Sequence, residues 1–148
     1  MLKESKEFNP DLLYDWIKIE ISHQVLKELE YFNCKSCVKE KTSIVPIKDE
    51  KTYKQAIKLN FDEADASIIS KGKQDLDSII VSEDGLLLEY ARIKNLTAIQ
   101  LIDLFLILMQ KKLINSTQLY LLTKFLRHLK NITKKKEKAI LKRRSSME

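Results

Sequence analysis

The chain has little of what usually punctuates a polypeptide. Two glycines and two prolines in 148 residues argue against a turn-dense β protein and favour one rich in helices. Two cysteines and two histidines leave few soft metal donors. The cysteines form Cys34-Lys35-Ser36-Cys37, but a structural zinc site needs four ligands. There is no second CxxC, and neither His23 nor His128 stands at finger spacing. A redox CxxC opens a helix that follows a strand, whereas this pair follows the end of a helical pattern at Tyr31-Phe32-Asn33. Two thiols in a connector is the reading, with a zinc shared between two chains as the alternative. The most apolar run, Ala98 to Met109, is interrupted by Gln100 and Asp103 and is too short to cross a bilayer. Residues 1–11 are charged and polar, unlike a signal peptide. A cytoplasmic protein is the expectation.

The charge is unevenly placed. The net charge is +6, yet Lys130, Lys134, Lys135, Lys136, Lys138, Lys142, Arg143 and Arg144 stand against Glu137 alone, +7 within one short segment. The remainder is near neutral, which divides the chain into a body over residues 1–129 and a basic C-terminal helix or tail over 130–148. Such a run attracts phosphate backbones or an acidic partner, or it is a solvated helix end. Its candidate nucleic-acid contacts are Lys134, Lys135, Lys136, Arg143 and Arg144.

Along the body, strand and helix signals alternate. Asn9-Pro10-Asp11 predicts a helix start, with Leu12, Leu13 and Trp16 as its apolar face. Ile17 to Ile21 alternates apolar and polar like a strand, and Ser22 is placed to cap the helix that carries Val25, Leu26, Leu29 and Phe32. Thr42 to Ile47 is β-like, with Pro46 marking an edge or an end. Asp49 to Lys58 predicts a helix with Tyr53, Ala56 and Ile57 inward. A helix from Asp62 to Lys71 buries Ala64, Ile68 and Ile69, with Gly72 as its C-cap. The strand Ser78–Ser82 precedes a turn at Glu83-Asp84-Gly85 and a helix to about Lys94. Leu96 to Ile99 is another short strand. Leu101 to Lys112 is a buried helix, and Ser116 or Thr117 caps the last one. This alternation predicts an α/β fold with a parallel sheet.

The stretch Asp62 to Asp84 carries the chemistry. Acids open one helix at Asp62, Glu63 and Asp65, and Glu83-Asp84 follows a strand directly. Carboxylates at such positions converge on the rim of a parallel sheet and offer hard oxygens suited to Mg²⁺ or Mn²⁺. Each acid also has a structural explanation. Asp62, Glu63 and Asp65 complement a helix dipole, Asp84 before Gly85 suits a turn or N-cap, and Glu28 and Glu30 suit a solvated helix face.

In this order the pieces resemble the PIN-domain family, small metal-dependent nucleases that include toxins of toxin–antitoxin modules and RNA-processing enzymes. The matching segments are IEISHQVLKELEYF (19–32), DEADASIIS (62–70), SIIVSEDGLLLEYARIKNL (78–96) and LIDLFLILMQKKLI (101–114), and the likeness covers about residues 9–128. The resemblance implies a three-layer fold, a small parallel sheet flanked by helices. It implies Glu28, Asp65 and Asp84 as catalytic acids and metal ligands, Glu63 and Glu83 as further candidates, and Ser82 as a supporting hydroxyl. It also implies Mg²⁺ or Mn²⁺ as cofactor, RNA as substrate, and an antitoxin, another protein or a second copy as partner. The chain departs from the family at its start. Residues 1–8, MLKESKEF, hold neither the family's central first strand nor that strand's Asp. A truncated start, a degenerate non-catalytic module that binds nucleic acid or protein, or replacement by Asp15 or Glu20 each account for this.

Overall fold

The computed structural model describes residues 15–31 and 42–147, so Cys34, Cys37, Phe32 and the helix start at Asn9-Pro10-Asp11 lie outside the described residues. Among the described residues there are seven helices and two parallel two-stranded sheets. In chain order these are β1 (Glu20–Ile21), α1 (His23–Tyr31), β2 (Ser43–Ile44), α2 (Glu50–Lys58), α3 (Glu63–Gln74), β3 (Ile80–Val81), α4 (Gly85–Ile93), β4 (Ala98–Ile99), α5 (Leu101–Gln110), α6 (Ser116–His128) and α7 (Lys134–Met147). The backbone forms two compact units, one ending at Ala98 and the other running from Ile99 onward.

In the first unit the strands are shorter than their alternating patterns predict. β1 pairs with β2 in parallel, Glu20 opposite Ser43 and Ile21 opposite Ile44, and β2 stops before Pro46, which cannot donate to a ladder. β3 pairs with β4, Ile80 donating its N–H to the Thr97 carbonyl at 2.9 Å. The single sheet expected from the sequence is thus two separate sheets, and β1 and β3 each pair elsewhere rather than with one another.

Helix α3 is the element on which both sheets are hung. Lys71 forms an ion pair with Glu20 of β1 at 3.3 Å. One residue on, Gly72 is covered by Ile80 of β3, whose Cδ1 would lie 2.7 Å from a Cβ at that position. Gly72 was expected to end the helix, but α3 continues through Gln74 and Asp75 caps it. The glycine serves close packing instead of chain reversal. Ser22 accepts the Val25 N–H at 3.1 Å, as its capping position predicts. Its hydroxyl also meets the buried Ser67 hydroxyl at 2.6 Å, and Ser67 donates to the Ala64 carbonyl. That buried chain of hydroxyls fixes the start of α1 against α3. The apolar core here is Ala56, Ala66, Ile69, Ile80, Leu87, Ala91 and Leu96, with Tyr53, Phe61, Ile68 and Tyr90 packed on it. Ile57, expected inward, is exposed, because the α2 face toward α3 is centred on Ala56.

In the second unit α5, α6 and α7 pack against one another. Ile102, Leu106 and Leu108 of α5, Leu119 and Leu122 of α6 and Ile140 of α7 are buried. The α6 cap is Asn115, not Ser116 or Thr117. Asn115 accepts the Gln118 N–H at 2.8 Å, and Gln118 accepts the Asn115 N–H at 2.8 Å, a reciprocal capping box.

The scarcity of glycine has a visible consequence. Four helices end in the left-handed conformation that usually selects glycine, and here the positions are Asn60, Asn95, Lys112 and Lys130, with φ between 59° and 69°. After each, the next N–H returns to a carbonyl in the last helical turn, as Leu96 does to Ala91 at 2.8 Å and Leu113 to Leu108 at 2.9 Å. These are Schellman closures, built without the residue best suited to them.

Candidate functional site

The first unit presents three acid-bearing segments to one another. On α3, Asp62 is the N-cap, its Oδ1 accepting the Asp65 N–H at 2.8 Å. Asp65 therefore stands at the third position of the first turn. On α4, Asp84 is the N-cap, its Oδ1 accepting the Leu86 N–H at 2.8 Å and the Leu87 N–H at 3.4 Å. Ser82 accepts the Asp84 N–H at 3.1 Å, holding the turn between β3 and α4 in shape. The third segment is α1, which carries Glu28 and is held against α3 by the Ser22–Ser67 contact.

Asp65 is the focus of this arrangement. Its carboxyl is raised from 3.8 to about 6. Burial is the largest cause, followed by the negative charges of Asp62 and Asp84, a hydrogen bond shared with the Asp84 side chain, and the charge of Glu28. Loss of water and like charge both disfavour the ionised form. Glu28, Asp65 and Asp84, assigned together from the sequence, thus act on a common point. Asp62 joins them as the strongest neighbouring charge, a role hidden in the sequence because its position is also that of an ordinary N-cap. Glu63 and Glu83 are exposed, as are Glu28, Asp62 and Asp84, and Asp65 is the half-buried member of the group.

Glu20 has a different role. Burial raises its carboxyl, but hydrogen bonds and charge from Lys18 and Lys71 outweigh this and hold it below its ordinary value. It is an ion-paired anchor of β1, engaged at 3.2 Å with Lys18 and 3.3 Å with Lys71. Asp15, the other proposed replacement for the family's first Asp, sits in a short helical turn beside Trp16.

The donor set fits a hard divalent cation in kind, since every member is a carboxylate oxygen. The side chains are not drawn into a coordination shell: among the described residues no three His, Cys, Asp or Glu side chains stand close enough to hold an ion. No family model, curated protein or solved structure matches the chain.

The basic segment, expected as a C-terminal helix or tail, is a helix packed within the second unit. Lys136 donates to Asp103 at 2.7 Å, Glu137 pairs with Lys124 at 3.4 Å, and Arg144 donates from Nε to the Ser116 carbonyl at 2.8 Å while lying over the Tyr120 ring. Lys136 and Arg144, both assigned to nucleic acid from the sequence, are therefore engaged within the fold. Lys134, Lys135 and Arg143 are exposed. Among the described residues no helix is long and apolar enough to cross a membrane.

Proposed function

We propose that this chain is a PIN-like ribonuclease that depends on Mg²⁺ or Mn²⁺ and hydrolyses RNA phosphodiester bonds. The observation that supports this reading is Asp65, half-buried, with its carboxyl raised to about 6 by burial first and then by the acids Asp62, Asp84 and Glu28. A fold gains no stability from holding repelling carboxylates together, and perturbed groups of this kind gather at functional sites. Glu28, Asp65 and Asp84 would hold the cation, with Asp62 adding negative charge beside them. When bound, such an ion lowers the pKa of its water and offsets charge building on the phosphate oxygens.

The rest follows from the chain's own groups. The four acids repel a phosphodiester, so RNA approaches only once their charge is balanced. Protonation of Asp65 as the pH falls through about 6 removes one anionic donor and weakens the site for cations. Ser82 and the α4 cap keep Asp84 facing Asp65. A toxin of a toxin–antitoxin pair is one biological setting for such an activity.

The second reading is a scaffold without catalysis, binding RNA, DNA or protein. It draws on the finding that, among the described residues, no three His, Cys, Asp or Glu side chains stand where they could hold an ion together. A mixed RNA panel incubated with Mn²⁺ separates the two. Cleavage that falls by about a hundredfold or more in Asp65→Asn and Asp84→Asn supports the enzyme. Asn retains the α4 cap, so loss in Asp84→Asn reports the charge and not the helix. Absent cleavage, or cleavage untouched by both changes, leaves the scaffold.

A further inference from the structure

The seven basic residues of α7 are sorted by the fold onto two faces of the helix. Basic groups that face α5 and α6 are matched: Lys136 by Asp103, and Arg144 by the Ser116 carbonyl and the Tyr120 ring. The helix's one acid, Glu137, is taken by Lys124. The opposite face carries Lys134, Lys138 and Lys142, spaced four residues apart, with Lys135 and Arg143 beside them, all exposed. Among the described residues none of these five has an ion pair, and the face between them offers only Ala139, Ser145 and Ser146.

That face is electrostatically unfavourable as it stands. Like charges four residues apart on one helix face destabilise it. Lys134 and Lys135 also place positive charge in the first turn, against the helix dipole. Among the described residues no ion pair offsets this, whereas a polyanion would. Lys134, Lys138 and Lys142 form a straight row rising about 6 Å per step, which suits successive charges along a flexible backbone. A membrane surface fits less well, because no large apolar side chain of α7 is exposed and interfacial helices need such a face.

We propose that this outward face of α7 binds the phosphate backbone of single-stranded RNA, independently of sequence, through Lys134, Lys138 and Lys142 with Lys135 and Arg143 flanking them. The choice of RNA rests on the ribonuclease reading, while the binding itself requires neither the metal nor the acids. A labelled single-stranded RNA of about 20 nucleotides is titrated with the full chain in EDTA across a range of salt. Wild type, Lys134→Gln/Lys138→Gln/Lys142→Gln and the equal-charge control Lys51→Gln/Lys54→Gln/Lys58→Gln on α2 are compared. The α7 triple is expected to bind at least about tenfold more weakly, with a shallower salt dependence by about 0.7 per lost phosphate contact, while the control changes less than about twofold. Equal losses in the two triples, or none in the first, overturn the proposal. So does duplex DNA or a phosphatidylserine vesicle binding where RNA does not. The titration is made in EDTA, where no metal-dependent cleavage occurs, so failure of catalysis and failure of this surface are read separately.

Discussion

At the scale of single residues, Asp65 has the most to report. Its carboxyl is raised above its unfolded value, to about 6, so the folded chain holds a proton that the unfolded chain has already lost between about 4 and 6. Stability contributed by this group is therefore greatest at low pH and is lost as the pH rises through about 6. Asp65→Asn is expected to stabilise the protein at pH 7.5 by up to about 1 kcal/mol, allowing for solvent screening of a half-buried group. Thermal melts in parallel should show the gain disappear near pH 4; a gain that persists there would refute the account. Lys112 and Lys130 offer a second test. Both hold φ of 59°, at a steric cost that glycine avoids. Lys112→Gly is expected to stabilise by about 0.5–1 kcal/mol in urea unfolding, an unusual sign for a glycine substitution. The φ > 0 positions were not legible in the sequence. Asn60 and Asn95 are ordinary candidates for that conformation, but a lysine signals nothing until the returning hydrogen bond from Leu113 to Leu108 is seen.

At the scale of elements, α3 organises the first unit. It receives α1 through Ser67, β1 through Lys71 and β3 through Gly72, so the three acid-bearing segments are held by one helix. Gly72 is the most sensitive of these contacts, since a side chain there meets both Ile80 Cδ1 at 2.7 Å and Cγ1 at 3.1 Å. Gly72→Val is expected to cost about 1–3 kcal/mol through overpacking. By moving β3 it should also shift the Asp84 turn away from Asp65. An NMR titration of the Asp65 carboxyl would then find its pKa back toward 3.8; an unchanged value would separate Gly72 from the site. Most helices were readable from apolar spacing, and the caps read at Ser22 and Asp84 accept their N–H groups. Strand lengths were not, because alternation extends beyond the two residues that actually pair in each strand. Pairing depends on a partner edge, which no local pattern encodes.

At the scale of the whole molecule, the excess positive charge is gathered in one compact unit, while the other is near neutral and carries the acids of the candidate site. The acids lie between residues 28 and 84, and the exposed lysine row lies on α7. Bulk net charge of +6 conceals this division. If the acids take a divalent cation, Mn²⁺ should raise the melting temperature at pH 7.5, as any ligand of the native state does. The rise should shrink at pH 5, where Asp65 is largely protonated given a pKa of about 6, and vanish in Asp65→Asn/Asp84→Asn. A rise that survives the double substitution would place the cation elsewhere.

Helix positions, the alternating α/β order and the caps at Ser22 and Asp84 were determined by the sequence alone, because each depends on residues within a few positions of one another. The acidic stretch was visible there too. Only the tertiary structure decided that Asp62 joins Asp65, Asp84 and Glu28, that Gly72 is a packing contact, and that Lys136 and Arg144 face inward while Lys134, Lys138 and Lys142 face out. Those outcomes depend on which segments meet across long stretches of chain, and such meetings are set by burial and close packing rather than by local spacing.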